Sequence, residues 1–326
     1  MKRHLLTVLL IVLSVFCCAC NHPHTQLSFI AMDTYITLSA DVNDGVLSSV
    51  RQKICSLSDT FDFHNSGSAL SILNQNAGGP VDGDLNTLLQ LARQYANDTG
   101  GAFNPALGNI IRLWDIGGQN RLPAAAQISD ALAHSQSGDW QIQDGQVSLQ
   151  NGVQLDLGGI AKGYASDIAL QMIEQAGGTS GLLSIGGNIA VLGSKNGDDW
   201  RVAIQHPETE QGAIGMLSVC DCFVVTSGDY QRYFETDGKR YHHIFGQNGY
   251  PTDNGLRSVT VVTDSGAKAD AYSTALFVMG MEQGLAFYNQ KQDFEAIFIT
   301  KDRSVTVTPG LRNRFTLQDG EYYYAN

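Results

Sequence analysis

Asp270 and Thr274 stand four apart in an otherwise mostly apolar segment, AKADAYSTALFVMG (Ala267 to Gly280). On a helix they share one face, and a carboxylate beside a hydroxyl suits a hard, oxygen-loving cation such as Mg²⁺. An aspartate near a helix start also serves as an ordinary cap or dipole partner. A second stretch, LDLGGIAKGYASD (Leu155 to Asp167), ends an apolar run on Asp156, turns on two glycines and starts a helix at about Ile160. Glycines admit close backbone approach, a helix N-terminus favours an anion, and Lys162 adds a positive charge in the first turn. The GxxxxGK[ST] spacing of a Walker loop is absent. A third stretch, TSGDYQRYFETDGKRYHHIFGQNGYP (Thr226 to Pro251), holds a Ser-Gly-Asp turn and the pair His242–His243, a candidate general base or a structural histidine. A cation, an anionic ligand and a proton acceptor are the chemistry these three stretches allow.

The elements that must carry them can be read from periodicity. Thr34 to Ala40, Val153 to Leu157, Leu182 to Ile185, Ile189 to Leu192, Trp200 to Ile204, Phe223 to Thr226, Ser258 to Val262, Ala296 to Thr300 and Val305 to Thr308 read as strands. Gly45 to Leu57, Leu85 to Asn97, Ile160 to Gln175 and Ala267 to Met279 read as helices, with a short one near Ile128 to Ala133. The expected fold is α+β, mixed sheets flanked by helices, without repeats or a low-complexity linker.

With 326 residues, 43% hydrophobic and 16% charged, the chain can bury a sizeable core. Its formal net charge of −12 and lack of a Lys/Arg cluster argue against nucleic-acid binding. A phosphate-rich ligand would therefore need local donors or a metal. Cys55, Cys220 and Cys222 form no disulfide framework, and Cys220 and Cys222 read as core packing on one side of a strand.

The N-terminus reads as an address. Lys2 and Arg3 precede an apolar run, Leu5 to Phe16, too short to span a bilayer comfortably. Ala19 before Cys20 resembles a bacterial lipoprotein junction, which makes residues 1–19 a signal, Cys20 the acylated first residue of the mature chain and 21–27 a polar tether. An ordinary cleaved signal or an uncleaved anchor is the alternative; each implies export.

Taken together, the motifs resemble the ApbE family of flavin transferases. The matching stretches are Asp156 to Asp167, Gly186–Gly187–Asn188, Thr226 to Pro251 and Ala269 to Gly280, joined upstream by Met32–Asp33–Thr34, SALSILN (Ser68 to Asn74) and GGAFNPALGNIIRLW (Gly100 to Trp114). The resemblance covers nearly all of residues 28–326 and implies one two-lobed, T-fold-related catalytic domain. It implies Mg²⁺-dependent transfer of FMN from FAD to a threonine of an exported or membrane acceptor flavoprotein, with release of AMP. Localisation would be periplasmic, anchored by lipid at the inner membrane. The resemblance assigns FAD contacts to Met32, Ala102, Phe103, Asn104, Asp156 and Lys162. It assigns Mg²⁺ ligands to the Gly159 carbonyl, Asp270 and Thr274. His243 matches the family's histidine and is the candidate base, with Ile244 and Phe245 beside it as flavin or adenine contacts. There are two departures: Gly246–Gln247 stands where the family has Asp-Pro, and His64 stands where a flavin-stacking aromatic is common. An FAD pyrophosphatase yielding FMN and AMP, and a non-catalytic FAD-binding lipoprotein, are the rival readings.

Overall fold

The computed structural model describes residues 24–209 and 212–325. The chain opens with a hairpin, β1 (Thr25–Ala31) and β2 (Thr34–Ala40), then α1 (Asp44–Phe61), α2 (Ala69–Gln75), β3 (Gly78–Pro80), α3 (Gly83–Asp98), α4 (Gly108–Trp114) and α5 (Ala125–Ala133). Next come β4 (Trp140–Gln143), β5 (Gln146–Leu149), α6 (Ala161–Gln175), β6 (Gly181–Ile185), β7 (Asn188–Leu192), β8 (Trp200–Gln205), β9 (Ala213–Val219) and β10 (Cys222–Gly228). The remainder is β11 (Tyr233–Thr236), β12 (Lys239–His242), β13 (Leu256–Thr263), α7 (Gly266–Lys291), β14 (Glu295–Thr300), β15 (Ser304–Val307), β16 (Phe315–Leu317) and β17 (Tyr323–Tyr324).

One sheet organises the rest, in the order β1-β2-β6-β7-β10-β13-β14-β15-β17, antiparallel until the last pair. Its interior strand β13 is buried on both sides: Val259 and Val261 enter the main core, Val262 a second one. The main core lies under α1, α6 and α7. In α1 the buried residues Leu47, Val50, Ile54, Leu57 and Phe61 recur at spacings of three and four, and the Asn43 side chain caps the helix at Val46 N–H. The second core sits between the other face and the small sheet β16-β9-β8, filled by Trp200, Val202, Ile204, Leu217 and Phe315.

Several expectations change. Thr25 to Leu27, read as tether, belong to β1, where Leu27 pairs with Leu38 and packs against the main core. Cys20 and residues 1–19 lie outside the described residues. Val153 to Leu157 is extended but not a strand of any sheet. Its backbone is satisfied piecemeal: the Asn74 side-chain amide both donates to Leu155 O (2.9 Å) and accepts from Leu155 N–H (2.8 Å), and Asp156 N–H donates to Pro105 O (2.8 Å). An apolar run therefore looked like a strand while an asparagine filled the neighbouring strand's role. The helix read as ending at Met279 does break at Gly280 (φ 78°), but then resumes to Lys291. Asn254 Nδ2 donates to the Phe277 carbonyl freed by that break (2.6 Å). Of the cysteine pair, only Cys222 lies in a strand. The turn at Asp221 (φ 44°) separates it from Cys220, so strict alternation does not relate them.

Candidate active site

Helices α6 and α7 meet backbone to backbone. A Cβ on Gly163 would lie 2.1 Å from the Gly266 carbonyl oxygen, and one on Gly266 2.4 Å from that of Gly163. Glycine at both positions permits the contact. It sets Asp270 over the first turn of α6, where the Gly163 N–H donates to Asp270 Oδ2 (2.9 Å) and Lys162 Nζ lies 4.0 Å from the same oxygen. In return Asp167 of α6 accepts the Gly266 and Ala267 N–H groups (2.6 and 2.9 Å), capping α7. Each helix thus has its N-terminus capped by a carboxylate of the other.

One turn along α7, Thr274 Oγ1 lies 3.2 Å from Ser227 Oγ of β10, which also meets Ser273 Oγ (2.9 Å). Gly159 closes the group: a Cβ there would sit 3.6 Å from Thr274 Oγ1 and 3.3 Å from the Phe103 ring. Asp270 is 4% exposed, and Lys162 Nζ also donates to Gly158 O (3.2 Å). The structure therefore brings Gly159, Lys162, Asp270, Thr274 and Phe103 together.

Asp156 stands at the entrance to the same turn, its Oδ1 accepting the Gly158 N–H (2.9 Å). Burial raises its carboxyl above the usual range, opposed by that N–H and by the charges of His64, Lys162 and Arg232. His64 itself is exposed, its N–H held by Asp62 Oδ1 (2.8 Å) and its ring 5.3 Å from that of Phe63.

The two histidines separate into two roles. His242 is buried, with Nε2 donating to Thr252 O (2.7 Å) and Nδ1 accepting from Ile244 N–H (3.2 Å). Both nitrogens are occupied, so it shapes the loop. His243 keeps more surface. Its Nδ1 lies 3.2 Å from Arg232 O, and a carbonyl only accepts, so the proton sits on Nδ1 and the Nε2 lone pair is left over. Surrounding protein atoms, then the Arg232 cation and His242, hold its pKa down to about 3. The imidazole is therefore neutral with a free Nε2, the protonation state from which a general base starts, and its low pKa makes it a weak one until a bound substrate changes its surroundings.

The other residues assigned to FAD contact also hold the fold together around this site. The Asn104 amide ties its loop together, donating to Ser135 O (3.1 Å) and accepting from Ala106 N–H (3.0 Å). Ala102 is buried at the end of α3's following turn, where Thr99 also holds the Phe103 N–H. Ile244 is buried in the main core, and Phe245 packs 6.0 Å from Trp114 in a third small cluster. Met32 sits at the β1–β2 turn with φ 54°, its N–H bonded to Ser58 Oγ (2.9 Å).

Sequence reasoning missed Ser227, which touches Thr274, and Asp167, which fixes the start of α7. It also missed Asn74 and the Arg232 carbonyl. Ser227 and Asp167 lie inside the quoted motifs, so their signal was present. Asn74 closes the quoted SALSILN stretch, but its partner lies 81 residues away, so the motif marked the residue and not the contact.

A concave site nearby differs in chemistry from this cluster. A cleft of about 260 Å³ is lined by Asp167, Glu174, Asp221 and Asp264 with apolar neighbours, and includes none of Lys162, Asp270 or His243. Its carboxylates would repel a pyrophosphate.

A fold of this topology, with two helices clasped around a lysine, a carboxylate and a hydroxyl, defines a class. The ApbE family profile matches residues 32–298, and the chain belongs to the ApbE family. Among its relatives is the FAD:protein FMN transferase of Klebsiella pneumoniae, 35% identical over 90% of this chain and 95% of the relative. That of Treponema pallidum is 38% identical over 78% of this chain and 77% of the relative. The solved ApbE protein of Thermotoga maritima superposes with a TM-score of 0.83 at 29% identity, covering 89% of this chain and 99% of that one. Flavin transferase ApbE from Vibrio cholerae gives 0.81 at 25% identity, covering 89% and 99%.

Proposed function

We propose that this chain is an exported, Mg²⁺-dependent FAD:protein FMN transferase that labels a threonine of an acceptor flavoprotein. The observation that carries this reading is the convergence of Lys162, Asp270, Thr274 and the Gly159 turn at the N-terminus of α6, in a chain whose curated relatives bear that name.

The donors there are a carboxylate, a hydroxyl and a main-chain carbonyl, a set that fits a hard cation. Among the described residues no group of three or more His, Cys, Asp or Glu could hold a metal, so any ion would depend on such mixed oxygen donors. When bound by Gly159, Asp270 and Thr274, Mg²⁺ supplies charge neutralisation for the pyrophosphate. Lys162 and the α6 N-terminus add attraction that an acidic protein otherwise lacks. His243 Nε2 takes the proton of the acceptor hydroxyl. The threonine oxygen bonds to the FMN-side phosphorus, the bond to the AMP oxygen breaks, and AMP leaves with the electron pair.

For location, Lys2 and Arg3, the run Leu5 to Phe16 and the Ala19–Cys20 junction support lipid attachment at Cys20 on the periplasmic side of the inner membrane. No described helix is long and apolar enough to cross a membrane.

The test is incubation of purified protein with FAD and Mg²⁺, with and without a flavin-free acceptor. Covalently yellow acceptor supports the transferase. AMP release without acceptor would make it a hydrolase, and intact FAD a binder.

A further inference from the structure

The nine-stranded sheet ends on β1, and β1 is an open edge. Tyr35 O accepts from Gly186 N–H, and Asp41 N–H donates to Ser180 O, so the odd-numbered residues of β2 face β6. The even-numbered ones face β1, and their partners Thr25, Leu27, Phe29 and Ala31 turn inward. Gln26, Ser28 and Ile30 therefore aim their N–H and C=O groups away from the sheet. Among the described residues none of these groups has a hydrogen-bond partner.

Soluble proteins blunt such edges with charge, proline or a bulge. The strand TQLSFIA has no charge and no proline, and its pairing with β2 runs without a register shift. The opposite edge, β17, has only two residues. On β1 the cross-strand pair Ile30 and Tyr35 is 77% and 63% exposed, and Ile30 is the most exposed large apolar side chain among the described residues. The hairpin turn that follows is anchored beside the site. Met32 N–H is bonded to Ser58 near the end of α1, and Phe61 of that helix packs edge-on against Tyr164 in the first turn of α6 (ring centroids 6.0 Å).

We infer that β1 is the docking edge for the acceptor protein: an extended acceptor segment adds as a strand against Gln26, Ser28 and Ile30, with an apolar side chain on the Ile30–Tyr35 pair. This rests on the transferase reading, which requires a protein partner at the flavin. An uncharged edge suits that partner, because backbone pairing adds no charge repulsion to a chain of net charge −12.

The experiment compares wild type with Ser28→Pro, which removes an outward N–H and no backbone bond to β2, only the exposed Ser28 Oγ–Thr37 Oγ1 contact (3.4 Å), and Ile30→Lys, which places a charge on the edge. The probe is the flavin-free acceptor domain of a membrane redox subunit, with a copy whose target threonine is replaced by valine as blank. Both variants should raise KM for acceptor at least about tenfold, while FAD affinity and melting temperature stay near wild type. Amide exchange at residues 26, 28 and 30 should slow when acceptor is added to wild type. Unchanged acceptor KM in both variants, or no slowing, overturns the inference. So does a wild-type dimer in sedimentation that Ser28→Pro dissolves, because β1 would then serve a second copy. A wild type that labels no acceptor defeats the transferase reading instead, and the docking edge with it.

Discussion

The Gly163 amide and the Asp270 carboxylate meet at 2.9 Å, joining two motifs 107 residues apart in the chain. The bond orients Asp270 before any ligand arrives. It also makes α6 and α7 one unit, because Asp167 returns the same kind of contact at the other helix's start. Electrostatic sites work best when such groups need not reorganise.

Gly163→Ala should therefore damage more than a helix surface. Its Cβ would collide with the Gly266 carbonyl, whose backbone has no flexible end to move. Denaturant unfolding should show a loss of about 1–3 kcal/mol or more, typical of overpacking, together with loss of activity. A variant as stable and active as wild type would mean that the helices can part freely.

Asp270→Asn and Asp270→Ala separate charge from cap. Asparagine keeps an acceptor for the Gly163 N–H and alanine does not, so melting temperature should fall further for alanine. Both should lose about 100-fold or more in kcat/KM at ordinary Mg²⁺ concentrations, because the charged ligand is gone. Thr274→Val should cost less. Retained turnover in Asp270→Asn would place the cation elsewhere.

The His243 pKa of about 3 sets a pH dependence. Above that value the free enzyme carries neutral imidazole, so kcat/KM for FAD should stay flat between about pH 5 and 8 instead of falling through the ordinary 6.5. The depressed value also has a stability sign. Below 6.5 the unfolded chain binds a proton that folded His243 refuses, so stability contributed by this site falls as pH drops toward 3. An acid limb near 6.5 that disappears in His243→Ala would contradict the burial argument.

His64→Tyr should bind FAD more tightly, by less than about tenfold, because an aromatic contact is worth on the order of 1 kcal/mol. It should also release less free FMN without acceptor. The exposed ring of His64 leaves room for the larger side chain. Identical FAD titrations and AMP release would show that residue 64 does not reach the flavin.

Local patterns carried most of the fold. β2 begins and ends on the expected residues, and α6 starts one residue late, because alternation and helical spacing are properties of the segment itself. The edges were harder. β1 hides in a polar stretch with only half its side chains inward, and β9 becomes a strand through β8 and β16 beside it. At the site, Lys162, Asp270 and Thr274 were legible as chemistry, and their meeting was implied by resemblance alone. What brings them together is an absence of side chains at Gly163 and Gly266. A composition or period cannot announce that absence.

The early start of β1 also limits how far the enzyme can travel. If Cys20 carries lipid as proposed, only Asn21 to His24 separate it from the first strand residue, a leash of at most about 18 Å when fully stretched. Such a leash keeps β1 close to the bilayer surface and leaves the domain free to swivel but not to roam. Substrate proteins would then have to bring their threonine down to the membrane surface, and a soluble acceptor diffusing higher in the periplasm would be out of range.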